Sequence, residues 1–146
     1  MAAFQFIETM VGSYRLIARP DDERPMQFTL RARSPRLGEF LRRREVSIEG
    51  EVDAEDFADH RPLRGTLGLD VLGTGLLPYR FDFTANDGLA YRFDGMKRVR
   101  LARLMRTMTT LPAEILDAAG KAVATAELRF DVRSDLRKFL RSWRLV

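Results

Sequence analysis

Phe4, Phe6, Met10, Tyr14 and Leu16 occupy one parity of "FQFIETMVGSYRLIAR" (4–19), and Glu8 falls in the same phase. Side chains alternate across a β-strand, so this pattern predicts a long strand with a carboxylate in the middle of its apolar row. The same period of two recurs along the chain. Met26, Phe28, Leu30 and Ala32 alternate with polar residues in 26–32, and Val46, Ile48, Gly50 and Val52 do so in 45–54. Leu63, Gly65, Leu67, Leu69 and Val71 form the inward row of 63–73. Segments 77–85 and 89–99 flank Asn86, Asp87 and Gly88, residues that tolerate positive φ and mark a hairpin turn. Tyr79, Phe81 and Phe83 then face the same side as Tyr91 and Phe93. A last hairpin joins 106–116 to 121–132 around "DAAG" (117–120).

Two stretches change period. In "SPRLGEFLRR" (34–43), Ser34 suits an N-cap and Pro35 the first helical position, while Leu37, Phe40 and Leu41 have i, i+3, i+4 spacing. In "SDLRKFLRSWRL" (134–145), Leu136, Phe139, Leu140 and Trp143 form an apolar stripe bordered by basic residues. Burying that stripe on the protein's own barrel wall or mouth needs no further component, so docking there is expected, with a partner protein or a membrane interface as the alternatives.

Eight sequential strands with one wet face each predict antiparallel pairing rather than a helix-covered parallel sheet. Closure removes the exposed edges. The expected fold is therefore all-β: an up-and-down, lipocalin-like β-barrel of about eight strands with two short helices. A two-sheet β-sandwich is the alternative. Gly50, Gly65, Gly68 and Gly95 lie within strands, where closure needs bends. No internal boundary or repeat divides the 146 residues, which read as a single domain, 1–146.

Composition narrows the chemistry by exclusion. The chain has no cysteine, so thiolate catalysis, disulfides and cysteine-held metals are absent. A hydrophobic content of 45% and a charged content of 32% match a globular domain with a core. No apolar run reaches the length of a membrane-crossing helix, and 1–11 does not resemble a signal peptide, so a cytoplasmic location is the expectation. The net charge of +4 suggests nucleic acid as a partner. The arginines, however, alternate with apolar residues as in "KRVRLARLMR" (97–106), which marks a solvated face and argues against that partner.

His60 is the single histidine, in an expected polar loop "EDFADHRP" (55–62) beside Glu55, Asp56 and Asp59. A local acidic cluster is not a convergent ligand set, so no metal site is predicted. No serine has a nucleophile-elbow context, and "GTLGLDVLGTG" (65–75) lies in strand pattern without the helix of a dinucleotide site. No catalytic residue and no cofactor is expected, although interior Glu8, Tyr14, Tyr91 and Lys97 leave an enzyme as a minor alternative.

Several motifs, in order, resemble the accessory β-domain fused to bacterial cholesterol-oxidase-like members of the glucose–methanol–choline oxidoreductases and to some α/β-hydrolase relatives. They are Phe6, Glu8, Thr9, Met10 and Gly12; "IEGEV" (48–52); Tyr91, Arg92, Gly95, Lys97 and Val99; "TTL" (109–111); and "LRFDVRSDLRKFL" (128–140). Two departures stand out: Glu51 occupies a position where that family carries threonine, and its long acidic insertion is shortened to "RLMRTMTT" (103–110). The resemblance implies a stand-alone accessory domain in a lipid- or sterol-related setting, with no catalytic residue of its own. A partner oxidoreductase or hydrolase, or a second copy of the chain, is its implied protein partner.

The residues and the resemblance together lead to one functional expectation, a non-catalytic barrel that takes a hydrophobic small molecule. Its candidate lining is Glu8, Tyr14, Phe28, Phe81, Phe83, Tyr91, Phe93 and Lys97. Glu8 and Lys97 both occupy inward phases of apolar rows, and a lone buried charge is costly, so Glu8 is expected to meet Lys97, or failing that an inward-reaching arginine, inside or at one mouth of the barrel. Rings that simply fill the core, and a protein-docking module, are the competing readings. Membrane contact is expected to be peripheral at most.

Overall fold

A computed structural model describes residues 4–70, 73–99, 110–130 and 141–145. Its strands are β1 (Phe4–Leu16), β2 (Arg24–Arg33), β3 (Glu45–Ala54), β4 (Ala58–Gly68), β5 (Leu76–Thr84), β6 (Ala90–Arg98), β7 (Thr110–Leu116), β8 (Ala122–Arg129) and the two-residue β9 (Arg144–Leu145). A helix, α1 (Leu37–Arg43), lies between β2 and β3.

Each of the first eight strands pairs antiparallel with its sequence neighbour, and β1 also pairs with β8. That last pairing closes an up-and-down barrel and excludes the sandwich. β1 can serve both neighbours because it is long: Gln5 to Tyr14 pair with β2, and Val11 to Leu16 pair with β8. The alternation read from the sequence is the inside–outside alternation of the barrel. Phe6, Met10 and Tyr14 of β1, Met26, Phe28 and Leu30 of β2, and Val46, Ile48 and Val52 of β3 are all buried. Outside, oppositely charged residues face each other across strands, as in Arg80–Asp94 and Arg92–Asp82. Such exposed pairs add little stability and keep the wall soluble.

Gly65 shows why a glycine interrupts an apolar row. A Cβ there would fall on the carbonyl oxygen of Arg80 and within 2.5 Å of the Phe81 Cα. The β4–β5 backbones approach too closely there for any side chain.

Three local expectations are corrected. Ser34 does not cap α1; its hydroxyl accepts from the Phe4 N–H (2.8 Å), extending the β1–β2 end, and the helix starts at Leu37 after Arg36. The 55–62 loop is instead a tight turn, because β4 already begins at Ala58. His60 adopts φ 47° beside a register shift between Val52 and Ala54, and its N–H donates to the Asp53 carboxylate (2.7 Å). This is a β-bulge held by a side chain. The second expected helix lies mostly outside the described residues. Arg141 and Ser142 are helical as expected, but the chain then leaves the helix, since Arg144 and Leu145 pair as β9 with Gln5 and Phe4.

The described end of that tail, 141–145, lies on the barrel wall. Trp143 stacks on Phe6 (centroids 4.6 Å apart) and on Phe4 (5.3 Å), and the Ser142 hydroxyl accepts from the Ile7 N–H. β8 reaches β1 only from Val11 onward, so the first residues of β1 have an edge that this tail covers.

Candidate functional site: a buried polar cluster among aromatic rings

The interior divides into a polar cluster, a ring stack and a capped mouth. In the polar cluster, Glu8 projects from the middle of β1 and Lys97 from the end of β6, both almost without solvent contact. The Lys97 ammonium lies 3.4 Å from Glu8 Oε2, while the Tyr79 hydroxyl donates to Glu8 Oε1 at 2.6 Å. The expected meeting of Glu8 and Lys97 is thus present. Tyr79, read from the sequence only as an inward ring, supplies the carboxylate's second partner. The phase of β5 could place that ring inside but could not show that its hydroxyl crosses the barrel to β1.

Lys97 has three N–H donors. Beyond Glu8 it reaches the Met10 sulfur at 4.0 Å and lies over the Tyr79 ring, 5.1 Å from its centroid. Such contacts leave the ammonium with longer and weaker partners than water would offer it.

Burial pushes the Tyr79 phenol well above its ordinary value of 10.0, and the adjacent Glu8 carboxylate raises it further through its charge and its hydrogen bond. An ionised tyrosinate there would lose solvent and face an anion. Above pH 10 the unfolded chain releases this proton while the folded barrel retains it, so stability must fall as pH rises. The contribution is complete below the unfolded value and is lost as pH climbs through the folded one. Urea unfolding between pH 8 and 11 is expected to show this decline, with a shallower slope in Tyr79→Phe. Equal slopes in the two proteins would remove Tyr79 as the source.

Phe28, Phe81 and Phe93 form the ring stack. Phe81 and Phe93, opposite each other on β5 and β6, lie 4.6 Å apart with planes at 6°. Phe28 meets both edge-on, at 5.3 and 5.5 Å, and approaches Tyr79 at 6.3 Å. The rings lie against one another at these positions rather than around an open cavity.

Tyr14, Phe83 and Tyr91 belong to the mouth at the far end of β1. There Phe57, from the β3–β4 turn, packs on all three at 5.8, 6.1 and 4.9 Å. The Tyr14 hydroxyl donates to the Glu55 carbonyl, and the Tyr91 hydroxyl to Asp87 (3.0 Å). Phe57 was not singled out in the sequence, because the polar run around it reads as a loop. The eight predicted lining residues are therefore brought into one barrel but into different layers. Two open grooves mark the outer wall, one along β1, β8, β7 and β6 and one across β2 to β6. Glu8, Phe28, Phe81, Phe93 and Lys97 line neither. Among the described residues no group of histidines and carboxylates could hold a metal.

No protein-family model and no curated protein matches this chain. A solved fluorescence-activating β-barrel made by de novo design is similar in fold, with 18% sequence identity and a TM-score of 0.44. The likeness covers 85% of this chain and 92% of that one. The barrel assignment itself rests on the strand pairing described above.

Proposed function

We propose that this barrel binds a hydrophobic small molecule, lipid- or sterol-like, in its interior, with the Glu8–Lys97–Tyr79 cluster orienting a polar group of the ligand. The observation that carries the reading is the buried cluster itself. A barrel serving only as a packed scaffold is more cheaply filled with apolar side chains, since desolvating a lysine and a glutamate offsets most of their attraction. A hydroxyl or carbonyl oxygen would give the Lys97 ammonium a shorter partner than the 3.4 Å contact it has. The apolar body would lie among Phe28, Phe81 and Phe93, which must part to admit it. Apolar sites with a few convergent polar groups are the usual architecture for such ligands.

The test is a mass spectrum of an organic extract of the purified protein, followed by titration with a fatty acid, a sterol and an apolar fluorescent probe. Saturable one-to-one binding of at least one of them is expected. No saturable binding, with an extract free of any stoichiometric lipid, would overturn the reading.

A further inference from the structure

A second surface, at the opposite mouth from Phe57, has a different character. Helix α1 buries none of its residues fully. Leu37 and Leu41, one helical turn apart, are 59% and 52% exposed. Phe40, between them, turns inward and packs edge-on against Phe4 at 5.0 Å. Phe4 in turn stacks on Trp143, which is 41% exposed, and next to it Leu145 is 90% exposed. Two separate stretches of chain therefore place leucines and a tryptophan around one end of β1.

The charge around them is one-sided. Arg33, Arg36, Arg42, Arg43, Arg141 and Arg144 are all exposed. Within 33–45 and 141–145 the only acids are Glu39 and Glu45, and Glu39 is engaged by Arg43 at 3.6 Å. Elsewhere on the wall arginines face acids across strands, as Arg31 does Glu51. Among the described arginines of this end only Arg43 has an acidic partner, and the others border exposed apolar side chains.

We infer that this end of the barrel docks on an anionic lipid bilayer. Leu37, Leu41 and Leu145 would enter the boundary between headgroups and acyl chains, Trp143 would sit at that boundary, and the arginines would meet lipid phosphates. A protein partner would have to supply both an apolar pocket and an acidic rim. An anionic bilayer presents the two together over any area. The surface stands independently of whether the interior holds a ligand.

Trp143 is the single tryptophan of the chain, so its emission reports the contact directly. Vesicles of phosphatidylcholine and phosphatidylglycerol in equal parts should sediment the protein at least ten-fold better than pure phosphatidylcholine and should shift its emission to the blue. Raising sodium chloride to 0.5 M should weaken binding about ten-fold, because the Debye length shrinks. Leu37→Glu with Leu41→Glu, and separately Arg42→Glu with Arg43→Glu, should each abolish sedimentation while leaving the melting temperature unchanged. Lys121→Glu, in the turn at the far mouth, should have no effect. Equal binding to both vesicle types, no blue shift, or a Leu37→Glu/Leu41→Glu variant that still binds would overturn the inference. So would self-association through the leucines without vesicle binding.

Discussion

Glu8→Gln or Lys97→Met alone is expected to lower the free energy of unfolding by about 3–5 kcal/mol. At roughly 2–4 °C per kcal/mol for a chain of this size, the melting temperature falls by on the order of 10 °C. The reason is what each truncation leaves behind. Without Lys97, the Glu8 carboxylate keeps only the Tyr79 hydroxyl; without Glu8's charge, the Lys97 ammonium faces a sulfur and a ring. Either charge is then uncompensated in an interior that solvent does not reach. The double variant removes both charges together, so its cost should be well below the sum of the two singles. Urea unfolding of the four proteins measures that difference. Strict additivity would mean that Glu8 and Lys97 do not depend on each other, which would contradict their 3.4 Å contact.

Phe93→Ala should cost a similar amount, about 3–5 kcal/mol, for a different reason. The Phe93 ring is sealed from solvent, stacked on Phe81 and met edge-on by Phe28. Its removal deletes those contacts and leaves a void that the strands, tied into a closed ladder, cannot collapse to fill. The void should in turn bind a small apolar probe that the unaltered barrel takes more weakly, which links the measurement to the proposed ligand site. Tyr91→Phe is the natural comparison, because that ring lies at the mouth and its hydroxyl meets only an exposed Asp87. It should change stability by less than about 0.5 kcal/mol. A Phe93→Ala cost below about 1 kcal/mol would show that the ring stack is not a packed interior.

Most of the fold was legible because alternation is a local property that a closed barrel preserves on every strand. The rows of Phe6 to Tyr14, Met26 to Ala32 and Tyr79 to Phe83 kept the faces predicted for them. The hairpin at Asn86–Gly88 was equally plain, with Gly88 at φ 81° as such a turn requires. Ser34 misled because a serine before a helical period looks like a cap, whereas its hydroxyl is taken by Phe4, a residue 30 positions away. The 55–62 run misled for a different reason: only 55–57 is a turn, while 58–62 is strand whose alternation is broken by the bulge at His60, and the inward Ala58 is too small to reveal the period.

The sequence by itself determined that Glu8 and Lys97 point inward, since each stands in phase with buried neighbours and phase is set by the pleat. It also determined that two such charges need partners, since desolvation makes an isolated one untenable. Their shared phase also made Lys97 the expected partner of Glu8, and only the tertiary structure decided that Tyr79 joins the pair. Barrel closure brings β1, β5 and β6 around one interior, and the Tyr79 hydroxyl completes Glu8 across 71 residues of chain. Tertiary structure likewise decided that Phe28, Phe81 and Phe93 stack on one another, and that the tail ends as a strand beside Phe4 with its tryptophan half covered. Periodicity specifies the face of a strand, but its height, and so which side chains share a layer, follows from register and shear set by all the strands together.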